Sequence, residues 1–530
     1  MAASEIKLCL EIVREHFGSY AKAIAKALFA EPMSFHELRN VMKDNMSPNE
    51  VRETMLMLEH HHLLYYTTGR TIMYRMNVEN VLRIIRIPRL LKEIKMNFGK
   101  IGGPIVQHLS VRGQSTMSDT IRGVKELIDV DVAGIAETFR AMAGQQMVVR
   151  MRSVAKNDVG FPIYESDENL FVCPLIVCDG TRALNKPGTD TKTNKAKGVL
   201  NDSDQDMLWK INWERCDYLI RDAMITQMFI SLAPVHADTV NVVTSLMKVG
   251  NKRTNINEAY SQPISALEII NHAKISPSKN QEICALLRVL SEESNQIFKE
   301  IGQGSGGTYI IYYEKAIEEI LTMNTQCFIR ERIDDRAARI FCLLIKKGNL
   351  EEDQIEKHSM VPSKEAKEVC ALLLEENLIK VRHVSKGNDF APARTTYVYY
   401  VSLKNVAVHL NTYCLATIKN LMARRFFHGA KNRNLITRVL KRDFLVAQIE
   451  GNTELDEEQK KIQIKECDDS FIIGDDSLKY EQFTSTEAKL LCREIEAEGI
   501  AFISKQLLKF PLPPPEKKRR VVKSILDEFK

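Results

Sequence analysis

The sequence predicts a mainly α-helical chain with small β-hairpins, an α+β class, made of one repeated unit in four copies followed by an antiparallel coiled-coil hairpin. Three observations carry this expectation. A single order recurs four times along the 530 residues: a helix, a short turn, a second amphipathic helix, then two β-rich runs around a polar or glycine-containing turn. From about residue 406 the β pattern stops and two long stretches of helical periodicity follow. The chain is also far longer than one hydrophobic core supports, so several domains of roughly 70 to 150 residues are required.

The repeated order is that of the winged helix, a helix-turn-helix variant whose hairpin packs beside the second helix. The expected layout is four tandem extended winged-helix domains over residues 1–95, 96–180, 207–332 and 333–405. A mobile basic and acidic loop is expected at 181–206, the coiled-coil hairpin at 406–510 and a proline-basic tail at 511–530. In the first unit, Ser47-Pro48-Asn49-Glu50 supplies a hydroxyl N-cap, proline at the first helical position and a glutamate to close a capping box. Val51, Met55 and Leu58 follow as a buried stripe, and LLYY and TIMYRM flank the turn Thr67-Thr68-Gly69-Arg70 as a hairpin. The second unit runs through DVAGIAETFRAMAGQQ, with Ile135, Phe139 and Met142 on one side, to strands in MVVRMRSV and LFVCPLIV. The third opens with LWKINWERC, has a capping box at Ser278 and Gln281, and ends in the hairpin QIFKEIGQGSGGTYIIYY. The fourth is the most regular and closes with DFAPARTTYVYY, where Tyr397, Tyr399, Val401 and Leu403 share one strand face. That face is expected to cover Val369, Leu372 and Leu373 of the preceding helix, which makes the tyrosines a structural joint in preference to a base-stacking platform. Beyond it, Leu435, Val439, Val446 and Ile449 form one apolar seam and Leu491, Ile495 and Phe502 another, with Thr484 and Glu487 boxing the start of the second helix. At about 1.5 Å per residue the first arm would project on the order of 60 Å.

Composition narrows the function classes. Lys plus Arg at 74 against Asp plus Glu at 69 gives a net charge of +5, so a basic signal has to be local. The 11 scattered cysteines lack zinc-knuckle spacing and read as reduced, mostly buried thiols of a cytosolic or nuclear protein. No signal-peptide core and no apolar run near the roughly 20 residues of a membrane span are present, so no membrane partner is expected. Gly302, Gly304 and Gly307 match a dinucleotide fingerprint, but the strand TYIIYY follows where a helix is needed, and a hairpin tip is the expected role. His60, His61 and His62 end a helix without further metal ligands nearby, and no catalytic triad, P-loop or carboxylate pair stands out. No enzymatic activity, metal or cofactor is expected.

The local basic signals are four. Arg83, Arg86, Arg89, Lys92 and Lys95 recur every third residue after the first wing. Arg424, Arg425, Lys431, Arg433, Arg438, Lys441 and Arg442 fall in the window from Lys419 to Arg442, which has no acidic residue. Lys192, Lys195 and Lys197 lie in the 181–206 segment, and Arg394 in the loop before the last strand. These are candidate contacts to DNA or to a protein partner, weighed against a solvated helix face. Lys517, Lys518, Arg519 and Arg520 fit a nuclear import signal.

The segments EIKLCLEIVREHFG, LWKINWERC and DFAPARTTYVYYVSL with its following helix, in this order over the whole chain, resemble one family. It is the winged-helix subunit of the heterotrimer peculiar to RNA polymerase III, the third-largest subunit family of that enzyme. The resemblance implies a nuclear, non-catalytic subunit that sits by the clamp of the polymerase III core with two further heterotrimer subunits. It implies a part in engaging TFIIIB and in opening promoters of tRNA and other small RNA genes, and contact with single-stranded DNA is associated with the family. Two other classes compete. A free-standing DNA-binding regulator would need second helices bearing base-reading side chains, whereas Lys364, Glu365, Lys367 and Glu368 make the fourth a mixed-charge face. A scaffold of a proteolytic or translational complex would show no salt-sensitive DNA binding.

Overall fold

The computed structural model describes residues 3–67, 71–128, 130–152, 154–156, 162–164, 169–173, 207–232, 238–253, 258–275, 279–293, 297–302, 307–385, 395–451, 457–471 and 474–510. They form a mainly helical chain with small antiparallel sheets. The first stretch is α1 (Ala3–Ala30), β1 (Met33–Ser34), α2 (Phe35–Met42), α3 (Pro48–His60), β2 (Leu64–Thr67) and β3 (Met73–Met76). The long α4 (Val78–Arg112) leads to β4 (Ser115–Thr116), α5 (Met117–Leu127), α6 (Val132–Gly144), β5 (Val148–Arg150), a small hairpin of β6 (Val154–Lys156) and β7 (Pro162–Tyr164), and β8 (Leu208–Ile211). Next come α7 (Trp213–Leu232), α8 (Thr239–Arg253), β9 (Ile264–Ser265), α9 (Ala266–Ala273), α10 (Asn280–Glu293), β10 (Phe298–Gly302) and β11 (Thr308–Ile311). The fourth stretch is α11 (Tyr313–Arg332), α12 (Asp335–Lys347), β12 (Leu350–Glu351), α13 (Glu352–Ser359), α14 (Ser363–Glu375), β13 (Lys380–Ser385) and β14 (Thr395–Tyr400). Four helices close the described chain: α15 (Leu403–Lys431), α16 (Arg433–Gly451), α17 (Glu457–Phe471) and α18 (Asp476–Lys509).

Each of the four stretches builds a three-stranded antiparallel sheet with its last strand in the middle, in the orders β1-β3-β2, β4-β8-β5, β9-β11-β10 and β12-β14-β13. The first strand is always two residues long, too short to show a period in sequence, and it ends on the residue that caps the next helix. Ser34 and Glu37 make a reciprocal capping box at α2, Ser265 and Glu268 one at α9, and Glu351 and Gln354 one at α13, while Thr116 accepts from the Asp119 amide at α5. The box expected at α3 is present: Ser47 Oγ accepts from the Glu50 amide at 3.3 Å and Glu50 Oε2 accepts from the Ser47 amide at 2.7 Å. Val51, Met55 and Leu58 are buried as the stripe requires.

Several expectations are corrected. LWKI does not open the third unit; as β8 it pairs with both β4 and β5 and completes the second sheet, with Trp209 and Ile211 turned into the core and Trp209 edge-on to Phe139 at 5.3 Å. The described part of LFVCPLIV, residues 170–173, is not strand. Thr484 does not begin a helix. α18 starts eight residues earlier, and Thr484 Oγ1 donates to the Tyr480 carbonyl at 2.7 Å, a local bond that lets threonine sit inside a helix. The first helical stretch breaks at Asn432, and α17 occupies part of the segment read as a polar connector. Leu372 is 46 % exposed, and the buried face of α14 is Ala366, Val369, Cys370 and Leu373.

The largest correction concerns the closing helices. α15 and α18 run antiparallel, since Lys404 Nζ donates to the Phe510 carbonyl at 3.1 Å while Arg425, one helix length on, meets Glu494. α15 does not project as a free arm, because Val406, Ala407, Leu410, Cys414, Leu415, Ile418 and Met422 are all buried. They pack into two apolar cores. One gathers α1, α2, α3 and the start of α4 with Cys414, Leu415, Ile418 and Met422 of α15 and Ala501 of α18. The other runs from Leu90 of α4 through the remaining stretches to Phe502, Ile503 and Leu507 of α18. α16, with Leu435 and Val439 as its buried residues, and α17, with none among its described side chains, lie mostly outside them.

Candidate nucleic-acid and partner interface

The structure divides the basic residues of α4 between interior and surface. Steps of three residues on a helix fall short of a full turn by about 60°, so the row walks round the helix instead of lining one face. Arg86, 7 % exposed, is turned inward: its Nε donates to Glu498 Oε1 of α18 at 2.7 Å and its Nη1 to Asp217 Oδ1 of α7. Its guanidinium also lies 4.2 Å from the centroid of the Phe502 ring. Arg83 holds the other oxygen of Asp217 through Nε and Nη2, at 3.2 and 2.8 Å. Arg89 donates to the Ile495 carbonyl at 3.0 Å and lies over Gly499, where a β-carbon would come within 2.4 Å of its Nη2. Burial alone favours a neutral Arg86, but the Glu498 and Asp217 carboxylates outweigh it and raise its pKa. Lys92 and Lys95, farther along, are exposed.

The second basic window divides in the same way. Arg425 is clamped from two sides, by Glu15 of α1 at 2.5 and 2.9 Å and by Glu494 of α18 at 3.1 and 3.3 Å. Burial opposes its charge, and the hydrogen bonds to the two carboxylates hold it well above the ordinary arginine value. Glu494 itself is pushed up by burial, which Arg425 relieves only in part. Arg438 pairs with Asp476 at 2.7 Å, and Arg442 with Asp443 at 2.7 Å and Asp468 at 3.1 Å. Arg424, Lys431, Arg433 and Lys441 are exposed and have no ion pair among the described residues. Phe427, Leu440 and Phe444, 66, 61 and 63 % exposed, stand among them. Sequence periodicity does not distinguish these two sets. The carboxylates that claim Arg86 and Arg425 are up to 412 residues away.

Base-reading faces are poorly equipped. On α13 and α14 the charges answer one another: Lys367 pairs with Glu352 at 3.0 Å, and Arg336 reaches Glu365. In the last sheet Tyr399 pairs with Leu350 and Val381 and packs partly on the core, Tyr400 carries Arg382 at 5.5 Å, and Tyr397 is 56 % exposed. β11 follows Gly307 directly and pairs with β10, so a strand stands where the dinucleotide fingerprint needs a helix. α3 ends at His60, and among the described residues no group of three or more histidine, cysteine or acidic side chains gathers as metal ligands. No helix among them is long and apolar enough to cross a membrane. Lys192, Lys195, Lys197, Arg394, Ser278, the wing tip at residues 68–70, the tail 511–530 and its Lys517, Lys518, Arg519 and Arg520 lie outside the described residues.

Three family models match in succession: the RNA polymerase III subunit RPC82 helix-turn-helix domain at residues 7–69, RNA polymerase III subunit RPC82 at 179–320, and the POLR3C C-terminal winged-helix domain at 325–401. The chain is similar to the DNA-directed RNA polymerase III subunit RPC3 of Rattus norvegicus, with 25 % identity over 95 % of this chain and 98 % of that one. It is similar to the proteins of that name from Danio rerio, 26 % identical over 88 % of this chain and 93 % of the relative, and from Homo sapiens, 24 % over 95 % and 98 %. The helix-turn-helix and winged-helix matches fall on the first and last of the four repeated stretches, and the alignments run through the closing helices. The chain belongs to the family of RPC3 and RPC82, the third-largest subunit of RNA polymerase III.

Proposed function

We propose that the chain serves RNA polymerase III as a non-catalytic nuclear subunit beside the clamp of the core, together with two further heterotrimer subunits. In that place it helps the enzyme engage TFIIIB and open the promoters of tRNA and other small RNA genes. The reading treats the four repeated stretches as tandem extended winged helices, with the boundary between the second and third moved to Asn212, and α15 to α18 as a coiled-coil hairpin. The observation that carries it is likeness to RPC3 over nearly the full length of both chains. The repeated sheets and the basic end of the closing helices agree with it. Arg424, Lys431, Arg433 and Lys441 are its contact residues for an acidic protein surface or for single-stranded DNA. Arg83, Arg86 and Arg425 are engaged inside the fold and are left out of that set.

Affinity purification of the chain from nuclear extract is expected to recover RNA polymerase III core subunits; a ribosomal or proteasome-like set would refute the assignment. Replacing Arg424, Lys431, Arg433 and Lys441 by glutamate is expected to weaken binding to the polymerase or to open-complex DNA while leaving the fold intact. For each of these side chains that neutralises a phosphate, its replacement should flatten the salt dependence of DNA binding by roughly one unit of slope. Unchanged assembly and transcription would identify these residues as a solvated face only.

A further inference from the structure

A cavity of about 520 Å³ lies where α1, the end of α3, α4 and β8 meet, within the size range of small-molecule sites. Eighteen residues line it, and none is aspartate or glutamate. Two of its polar groups lack partners. Lys210 of β8, largely buried, forms no ion pair among the described residues, with Glu214 near enough only to offset part of its desolvation. His62 Nε2 is shut off from solvent and makes no hydrogen bond. A lysine ammonium lining a cleft without a single carboxylate has no counter-charge there, and an anion placed on it would supply one.

The walls are held in position by contacts of their own. Asn80, in the first turn of α4, donates to the His62 carbonyl at 2.7 Å and fixes its left-handed backbone at φ 57°. Phe17 meets His61 edge to face at 4.8 Å, and Trp213 carries Arg83 at 5.9 Å from its centroid. Burial lowers the pKa of Lys210 and brings that of His62 down to about 4, so a neutral imidazole stands near the amine. We infer that this cleft binds an aromatic carboxylate, with the carboxylate on Lys210 Nζ and the ring among Phe17, Ile84 and Trp213. The same chemistry is available from a free small molecule or from an adjacent acidic and aromatic residue on a polypeptide.

The test is fluorine NMR of para-fluorophenylacetate titrated with the full chain. A ligand this small is expected to bind with a dissociation constant on the order of 1 mM. Lys210→Met, and separately Ile84→Trp, which fills the cavity without touching the lysine, should each weaken binding at least roughly tenfold. Lys210→Arg and the distant Lys431→Met should keep it. Displacement of the probe by acetyl-aspartyl-phenylalanine amide, but not by its lysyl counterpart, would place the natural ligand on a polypeptide; displacement only by free aromatic acids would make it a small molecule. Equal broadening of para-fluorotoluene, or full binding by Lys210→Met, would overturn the assignment.

Discussion

Arg86 holds a positive charge at a nearly buried position because two carboxylates from different helices converge on it. Arg86→Met would leave Glu498 buried without its partner and Asp217 with Arg83 alone, a change expected to cost about 3 kcal/mol, read from urea unfolding midpoints. Adding Asp217→Asn and Glu498→Gln should recover part of that loss, since the buried charges would then be gone. His62 gives a prediction in pH. Its folded pKa, lowered to about 4 from 6.5 by burial first and by Lys210 second, makes its contribution complete above the unfolded value. That contribution is lost as pH falls toward the folded value, on the order of 3 kcal/mol in all. His62→Asn tolerates the left-handed backbone and cannot titrate, so its stability should decline less than the parent's between pH 7 and 4.5, measured by unfolding at each pH. At this scale the sequence is legible where partners are local, as in the Ser47 and Glu50 box. It is silent where they are distant, and Arg86 therefore reads as a surface cation.

Among the elements, α4 shows what fixes a boundary. It ends at Gly113, whose φ of 78° suits glycine and whose added β-carbon would stand 2.5 Å from the His60 carbonyl oxygen. Gly113→Ala is expected to cost at least about 1 kcal/mol and to lower the melting temperature by a few degrees in a thermal scan. The amphipathic helices and the hairpin β10–β11 are visible in sequence because their periods run long enough to count. The strands β1, β4, β9 and β12 are not, since two residues carry no period and only the capping residue on which each ends betrays the turn. β8 is misplaced for a different reason: its sheet partners precede it by more than 50 residues, so order along the chain assigns it to the wrong unit.

For the molecule as a whole, the closing helices serve as core as much as appendage. A chain ending at residue 402 would uncover apolar surface of both cores, which lose Cys414, Leu415 and Ile418 on one side and Phe502, Ile503 and Leu507 on the other. Such a truncation is expected to bind a hydrophobic dye and to aggregate during expression, whereas a projecting arm would be removable without harm; soluble yield and dye fluorescence distinguish the two. The repeat and the helical end were legible from pattern, but which face of α15 is covered depends on α1 and α18, at opposite ends of the chain. Glu5 meets Lys505 at 2.8 Å, and Glu15 and Glu494 share Arg425. During synthesis the first helix therefore emerges long before the residues that complete its surroundings are translated. Nascent chains halted before Glu494 should retain an amino-terminal region open to protease and to chaperones, which closes only as translation ends.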